Sequence, residues 1–197
     1  MKSAPESPDE KPVLLFKSQK EWAAWLEKNH AKSSGVWLQL AKKAATLKTV
    51  SYSEAVETAL CHGWIDGQVK RHDESVYIQK FIPRARKSIW SKINREKALA
   101  LIRSGEMKPG GLAEIERAKA DGRWDAAYDS PTTAMVPEDF RKALNENKKA
   151  KGFFATLNSQ NRYAFLFRVQ TTLKADTREK KIQLFMEMLA KGEKFHP

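Results

Sequence analysis

The first half of the chain alternates between apolar spacings typical of strands and of helices. Short strands are predicted over Val13–Phe16 and over residues 36–41, where apolar side chains recur at every second position. Helices are predicted from Ser18 to about Asn29 and over Ser51–His62. Each of these two helices begins with a serine followed three residues later by a glutamate, which is the pattern of a capping box.

A β-hairpin is predicted next, with strands Trp64–Lys70 and Val76–Ile82 joined by a turn that contains Asp and Ser. Gly67 lies inside the first strand, where glycine often marks a bulge that re-aims neighbouring side chains. A helix is expected over Ser88–Arg103. Its inward-facing residues are predicted to be Ile89, Ile93, Leu99 and Ile102.

Strand patterns disappear in the C-terminal third, where every apolar period is helical. A turn around Pro109 precedes a helix over 112–120, and further helices are predicted over 138–145, 148–157 and 159–173. Asp176 with Glu179 is expected to cap a last helix. The pattern therefore predicts an α+β fold: a small, mostly antiparallel sheet packed with helices, followed by an all-α helical unit.

These patterns divide the chain into four predicted segments. Residues 1–11 contain Pro, Ser and Glu without apolar periodicity and are expected to be a disordered tail. Residues 12–128 are predicted to be the α+β domain that carries the candidate site. Residues 129–136 are predicted to be a linker, and residues 137–197 a C-terminal helical module.

The net charge of the chain limits the kinds of partner that it is expected to bind. The 36 Lys and Arg residues against 24 Asp and Glu residues give a net charge of +12, which favours a small anionic ligand or nucleic acid as partner. The single cysteine, Cys61, excludes an intramolecular disulfide, and no apolar run is long enough for a membrane span. A cytoplasmic protein without membrane insertion is expected. The protein partner, if any, is unknown.

Special residues are concentrated between Cys61 and Asn94, which makes this stretch the candidate site. Residues 80–95 hold six cations and no acid, and such a segment attracts anions. Arg84 could clamp an anion through its planar guanidinium, with Asp66 orienting it and with hydroxyls near a helix start donating. The candidate ligand-binding residues are Trp64, Asp66, Gly67, Tyr77, Pro83, Arg84, Ser88, Trp90, Ser91 and Asn94.

A structural interpretation of the same residues stays open. Asp66 and Arg84 could form a structural ion pair, the two serines could cap the helix, and the tryptophans could belong to the core. Two further functions also stay open: a nucleic-acid binder that uses residues 80–95, and an enzyme of unassigned reaction with Asp66 as acid or base. No catalytic motif is recognisable. No metal site is expected, because the four histidines are scattered, and no cofactor is expected.

Several motifs resemble the YdeI/OmpD-associated family, whose members are often labelled bacteriocin-protection proteins. They are WIDG at 64–67, FIPR at 81–84, SIWSKIN at 88–94, GEMKPGGLAEIERAKADGRW at 105–124 and LKADTREKKI at 173–182. Leu173 and Lys181 stand where the family usually has Ala and Arg, and Ile82 where it often has Thr. The resemblance implies an α+β protein with a helical C-terminal part, linked to stress tolerance or antimicrobial-peptide resistance, and it brings no established reaction.

Overall fold

The computed structural model describes residues 11–197, so the predicted tail lies outside the described residues except for Lys11. The chain forms two compact units. The first comprises the residues up to Ser88 together with Lys97–Ala118, and the second comprises Ile89–Glu96 together with Lys119–Pro197. Within residues 11–197, no helix combines the length and the apolar character needed to cross a lipid bilayer.

The first unit is built on a four-stranded sheet in the order β1-β2-β4-β3. β1 (Val13–Leu14) pairs in parallel with β2 (Val36–Ala41), whereas β4 (Val76–Pro83) runs antiparallel to both of its neighbours, β2 and β3 (Trp64–Arg71). The mostly antiparallel sheet and the hairpin predicted from the sequence are therefore confirmed.

Helices α1 (Gln19–Asn29) and α2 (Tyr52–Cys61) begin at the two predicted serines. Ser51 and Glu54 form a complete capping box, in which each side chain binds the backbone N–H of the other residue. The helices contribute large apolar side chains to the core of the first unit. Trp22 packs edge-on against Phe81 at 5.7 Å between ring centroids, and all of its surface is buried.

Two later helices differ from the prediction in detail. α3 (Lys92–Arg103) begins four residues after Ser88, and α4 (Pro109–Ala120) already includes the predicted turn. The expected inward face of α3 is wrong for its isoleucines, because Ile93 and Ile102 are 52% and 38% exposed while Ala98 and Leu101 are buried. The spacing of apolar residues predicts that a segment is helical. It does not always predict which face is buried, because small residues such as alanine can form that face.

Besides the start of α3, the second unit contains four complete helices: α5 (Glu138–Glu146), α6 (Lys148–Thr156), α7 (Ser159–Gln170) and α8 (Ala175–Ala190). Its core is rich in aromatic rings that meet edge to face, as Phe165 and Phe185 do at 5.1 Å. The predicted helical C-terminal unit is confirmed. The predicted Asp176 cap is wrong, because Lys174 occupies the cap position and Asp176 lies inside the first turn of α8.

The LKADTREKKI motif joins three helices of this unit. Arg178 forms a two-pronged ion pair with Asp139 of α5, with Nε–Oδ2 and Nη2–Oδ1 distances of 2.5 and 3.0 Å. Its Nη1 also donates to the carbonyl of Val169 at the end of α7. Lys181 donates to Thr172 Oγ1 at 2.6 Å in the same region. Cations at a helix C-terminus satisfy carbonyls that lack intrahelical partners. The residues of this motif therefore have a stabilising role in the second unit.

Candidate functional site

The predicted irregularity at Gly67 is present. The register between β3 and β4 shifts between Asp66 and Val69, as a bulge requires. The amide of Gln79, a buried polar side chain on β4, donates to the carbonyl of Gly67 at 2.8 Å. The bulge therefore has its own side-chain partner, which replaces regular strand pairing at this point.

Asp66 lies on β3 next to the start of α2. The hydroxyl of Tyr52, the first residue of α2, donates to Asp66 Oδ2 at 2.6 Å. The pKa of Tyr52 is raised far above its ordinary value. Partial burial is the larger cause, and this hydrogen bond is the second. Burial also raises the pKa of Tyr77, another candidate residue. Tyr52 thus remains a protonated donor to the carboxylate across the physiological pH range.

Arg84 follows the last residue of β4 and is buried, with 5% of its surface exposed. Its backbone N–H donates to the carbonyl of Gly63 at 3.0 Å. Since Asp66 is paired with Phe81 and Trp64 with Pro83, the backbones of Arg84 and Asp66 are offset by about three residues, roughly 10 Å along the strands. Because β4 ends at Pro83, the alternation of side chains along the strand does not determine which face of the sheet the Arg84 guanidinium lies on.

The remaining candidate residues are divided between the two units. Ser88 belongs to the first unit, whereas Trp90, Ser91 and Asn94 belong to the second. Within the second unit, Ser91 caps α3 by accepting a hydrogen bond from the N–H of Asn94 at 3.1 Å. Trp90 packs edge-on against Trp124 at 4.8 Å. Both are roles expected from the structural interpretation of these residues.

A cleft that the sequence did not indicate lies in the first unit. It has a volume of about 350 Å³, and its polar and charged lining residues come from α1, from α2 and from the segment between α3 and α4. These residues are Gln19, Lys20, Glu57, Thr58, His62, Glu106 and Lys108. Ala23, Cys61 and Leu101 supply apolar surface.

His62 is a buried polar group of the cleft, and only 6% of its surface is exposed. Its Nδ1 lies 2.9 Å from the carbonyl of Thr58, and its Nε2 lies 3.2 Å from Glu27 Oε2. Both partners are oxygen acceptors, so the ring bridges the Thr58 carbonyl and the Glu27 carboxylate. The hydrogen bond from His62 is the main cause that lowers the pKa of Glu27.

Cys61 adds a neutral thiol to the cleft. Burial raises the pKa of this thiol to about 11, so it is not a thiolate at neutral pH. Glu27 is 35 residues from His62 in sequence, which is why sequence reasoning missed the pair. Only the contact with Thr58 could have been inferred from the sequence. His62 follows Thr58 by four residues, and the i, i+4 spacing lets its ring reach the Thr58 carbonyl.

The glycines of the KPGG motif permit the close approach of α4 to α2 beside this cleft. A Cβ at Gly111 would lie 2.6 Å from the carbonyl oxygens of both Leu60 and Cys61. The N–H of Lys108 donates to the Cys61 carbonyl at 3.2 Å. The motif therefore brings the positive N-terminal end of α4 to carbonyls at the C-terminal end of α2.

Two family models match the chain. One, described as "Domain of unknown function (DUF8412)", matches residues 14–114, and the other, described as "Bacteriocin-protection, YdeI or OmpD-Associated" (OmdA), matches residues 133–192. The hairpin motifs thus fall within the first match and LKADTREKKI within the second. No curated protein and no solved structure matches the chain. Among residues 11–197, no three His, Cys, Asp or Glu side chains are grouped to hold a metal ion.

Proposed function

Because the chain belongs to the DUF8412 family over residues 14–114 and carries an OmdA domain over residues 133–192, we propose that it is a cytoplasmic binding protein that acts in stress tolerance or antimicrobial-peptide resistance. The description of the OmdA family as bacteriocin-protection supports the protective role. The binding element is a small anion pocket around Asp66 and Arg84.

The burial of Arg84 is the observation that carries this proposal. Arg84 is 5% exposed, whereas Arg86 and Lys87, two and three residues later, are exposed. A guanidinium offers five N–H donors in a planar fork, and its charge is stabilised away from water only beside negative groups. The hydrogen bond from its N–H to Gly63 fixes the backbone. A fixed, largely desolvated guanidinium binds an anion more selectively than exposed cations do.

Asp66 and Tyr52 complete the proposed pocket. The hydroxyl of Tyr52 holds the Asp66 carboxylate at 2.6 Å, so the acid has a defined position beside the bulge. Asp66 orients Arg84, and its negative charge limits the anion to the Arg84 end of the pocket.

Calorimetric titration with inorganic phosphate and with citrate tests this function. Arg84→Lys keeps the charge but loses the planar fork, so we expect its affinity to fall at least about tenfold, or about 1.4 kcal/mol. Lys87→Ala is the matched control, since it removes a whole charge from the exposed part of the same segment and leaves affinity within about twofold. A wild-type protein that binds neither anion, or an Arg84→Lys protein with reduced stability and unchanged affinity, contradicts the pocket.

Nucleic-acid binding is the second candidate, favoured by cations on the sheet. The ammonium groups of Lys70 and Lys80 lie over the ring of Trp37, at 4.5 and 5.6 Å from its centroid. Together with exposed Arg86 and Lys87, they supply positive charge for a phosphate backbone. In this case Lys87→Ala weakens oligonucleotide binding as much as Arg84→Lys does, and affinity falls steeply between about 50 and 200 mM salt.

An enzyme that uses Asp66 as acid or base is the third alternative. The hydrogen bond from Tyr52 holds the Asp66 side chain in a defined position. No observation identifies a substrate for it.

A further inference from the structure

The cleft around His62 has the features of a ligand site of its own, and its lining includes neither Asp66 nor Arg84. We propose that this cleft binds a small zwitterion, either a free α-amino acid or a dipeptide. The inference does not depend on the anion pocket, because different side chains form the two sites, although α2 contributes to both.

Charges of both signs line the cleft. Lys20 and Lys108 provide ammonium groups for a carboxylate, and Glu106 provides a carboxylate for an ammonium group. Glu57 is already paired with Lys97, which reduces its attraction for a ligand. A ligand that carries one charge of each sign complements this lining better than a simple anion or a simple cation does.

The ring of His62 forms part of the cleft wall. Both of its nitrogens are occupied by Thr58 and Glu27, so the ring offers a ligand a contact surface rather than a hydrogen bond. The side chain of Glu27 is 67% exposed, and water screens its negative charge. The ammonium groups of Lys20 and Lys108 therefore define the end of the cleft that favours a ligand carboxylate.

Volume and apolar surface limit the rest of the ligand. The cleft of about 350 Å³ is in the range of small-molecule sites, and Ala23, Leu101 and the neutral thiol of Cys61 can contact an apolar side chain. A second cleft of about 300 Å³ shares Glu57, Leu101 and Glu106 with the first. The two clefts therefore adjoin, and the volume of the second offers room for the second residue of a dipeptide.

Titration calorimetry with leucine and Ala-Leu tests the ligand class. The single-charge probes are 4-methylpentanoate, which lacks the ammonium group, and isopentylamine, which lacks the carboxylate. We expect at least one zwitterion to bind about tenfold more tightly than either probe, since each probe leaves charged groups in the cleft without a partner. Failure of both zwitterions to bind, or equal binding of a single-charge probe, overturns the proposal.

Substitutions of two successive alanines in α1 test the location of the zwitterion site. Ala23→Leu fills part of the cleft and is expected to reduce zwitterion affinity at least about tenfold. Ala24→Leu makes the same change at an exposed position outside the cleft lining and leaves affinity unchanged. Equal affinities for both variants would overturn the location. Arg84→Lys leaves zwitterion binding unchanged, so a failure here is distinguishable from a failure of the anion pocket.

Discussion

The hydroxyl of Tyr52 donates a 2.6 Å hydrogen bond to the carboxylate of Asp66, which links the first turn of α2 to the bulged strand β3. The two residues are 14 positions apart, and neither a sequence period nor a capping pattern connects them. This bond defines the position of the acid in the candidate site.

The first prediction concerns the strength of this bond. Tyr52→Phe removes the donor and is expected to lower the free energy of unfolding by about 1–2 kcal/mol, because the acceptor is charged. Urea denaturation measures the change. In a double-mutant cycle with Asp66→Ala, the two losses should be less than additive. Strictly additive losses would show that the two side chains are not coupled.

The second prediction concerns the close approach of α4 to α2. Gly111→Ala brings a Cβ to 2.6 Å from two backbone oxygens and 2.3 Å from Met107 Sδ, and we expect a loss of about 2–3 kcal/mol in the free energy of unfolding. Gly152→Ala is the matched control in α6, where an added Cβ meets nothing within 4 Å. Removing a glycine from a helix interior should stabilise by about 0.5–1 kcal/mol. The same sign for both variants would contradict the packing.

The third prediction concerns pH. The hydrogen bond from Arg178 lowers the pKa of Asp139 below its ordinary value of 3.8. A carboxyl whose pKa is lower in the folded state stabilises the protein above the unfolded pKa, and this contribution is lost as pH falls through the folded pKa. Asp139→Asn should therefore destabilise by about 0.5–1 kcal/mol at pH 7, the range for partly exposed pairs.

Denaturation at a series of pH values checks this dependence. The difference between wild type and Asp139→Asn should shrink as pH falls below about 3.8. Glu146→Gln, at the exposed end of the same helix, is the control and should change stability little at any pH. A difference that stays constant down to acid pH would mean that the ion pair contributes nothing to stability.

The fourth prediction concerns domain organisation. Asp129, the first residue of the predicted linker, is held by Lys92, Tyr163 and Gln170 within the second unit. Residues 131–133 are exposed and form a turn. Limited proteolysis should therefore cut near residues 131–133. Cleavage inside β3 or β4 before these sites would contradict the predicted boundaries.

Local patterns in the sequence determined most of the secondary structure. Ser18, Ser51 and the glycine in β3 predicted two helix starts and a bulge, because capping and backbone freedom depend on residues within one turn or one strand. The family resemblance at LKADTREKKI was also available from the sequence alone, and it agrees with the OmdA match. The α3 isoleucines show where such patterns fail, since burial depends on what packs against a helix.

Tertiary structure alone decided which distant side chains meet. Glu27 and His62, Tyr52 and Asp66, and Asp139 and Arg178 are separated by 35, 14 and 39 positions, and no local period relates the members of any pair. The sequence determined that this chain carries a bulged hairpin and capped helices. Only the packing of α1 against α2 and the position of the segment between α3 and α4 created the cleft, because a cavity is bounded by elements whose mutual distances are not encoded in any single segment.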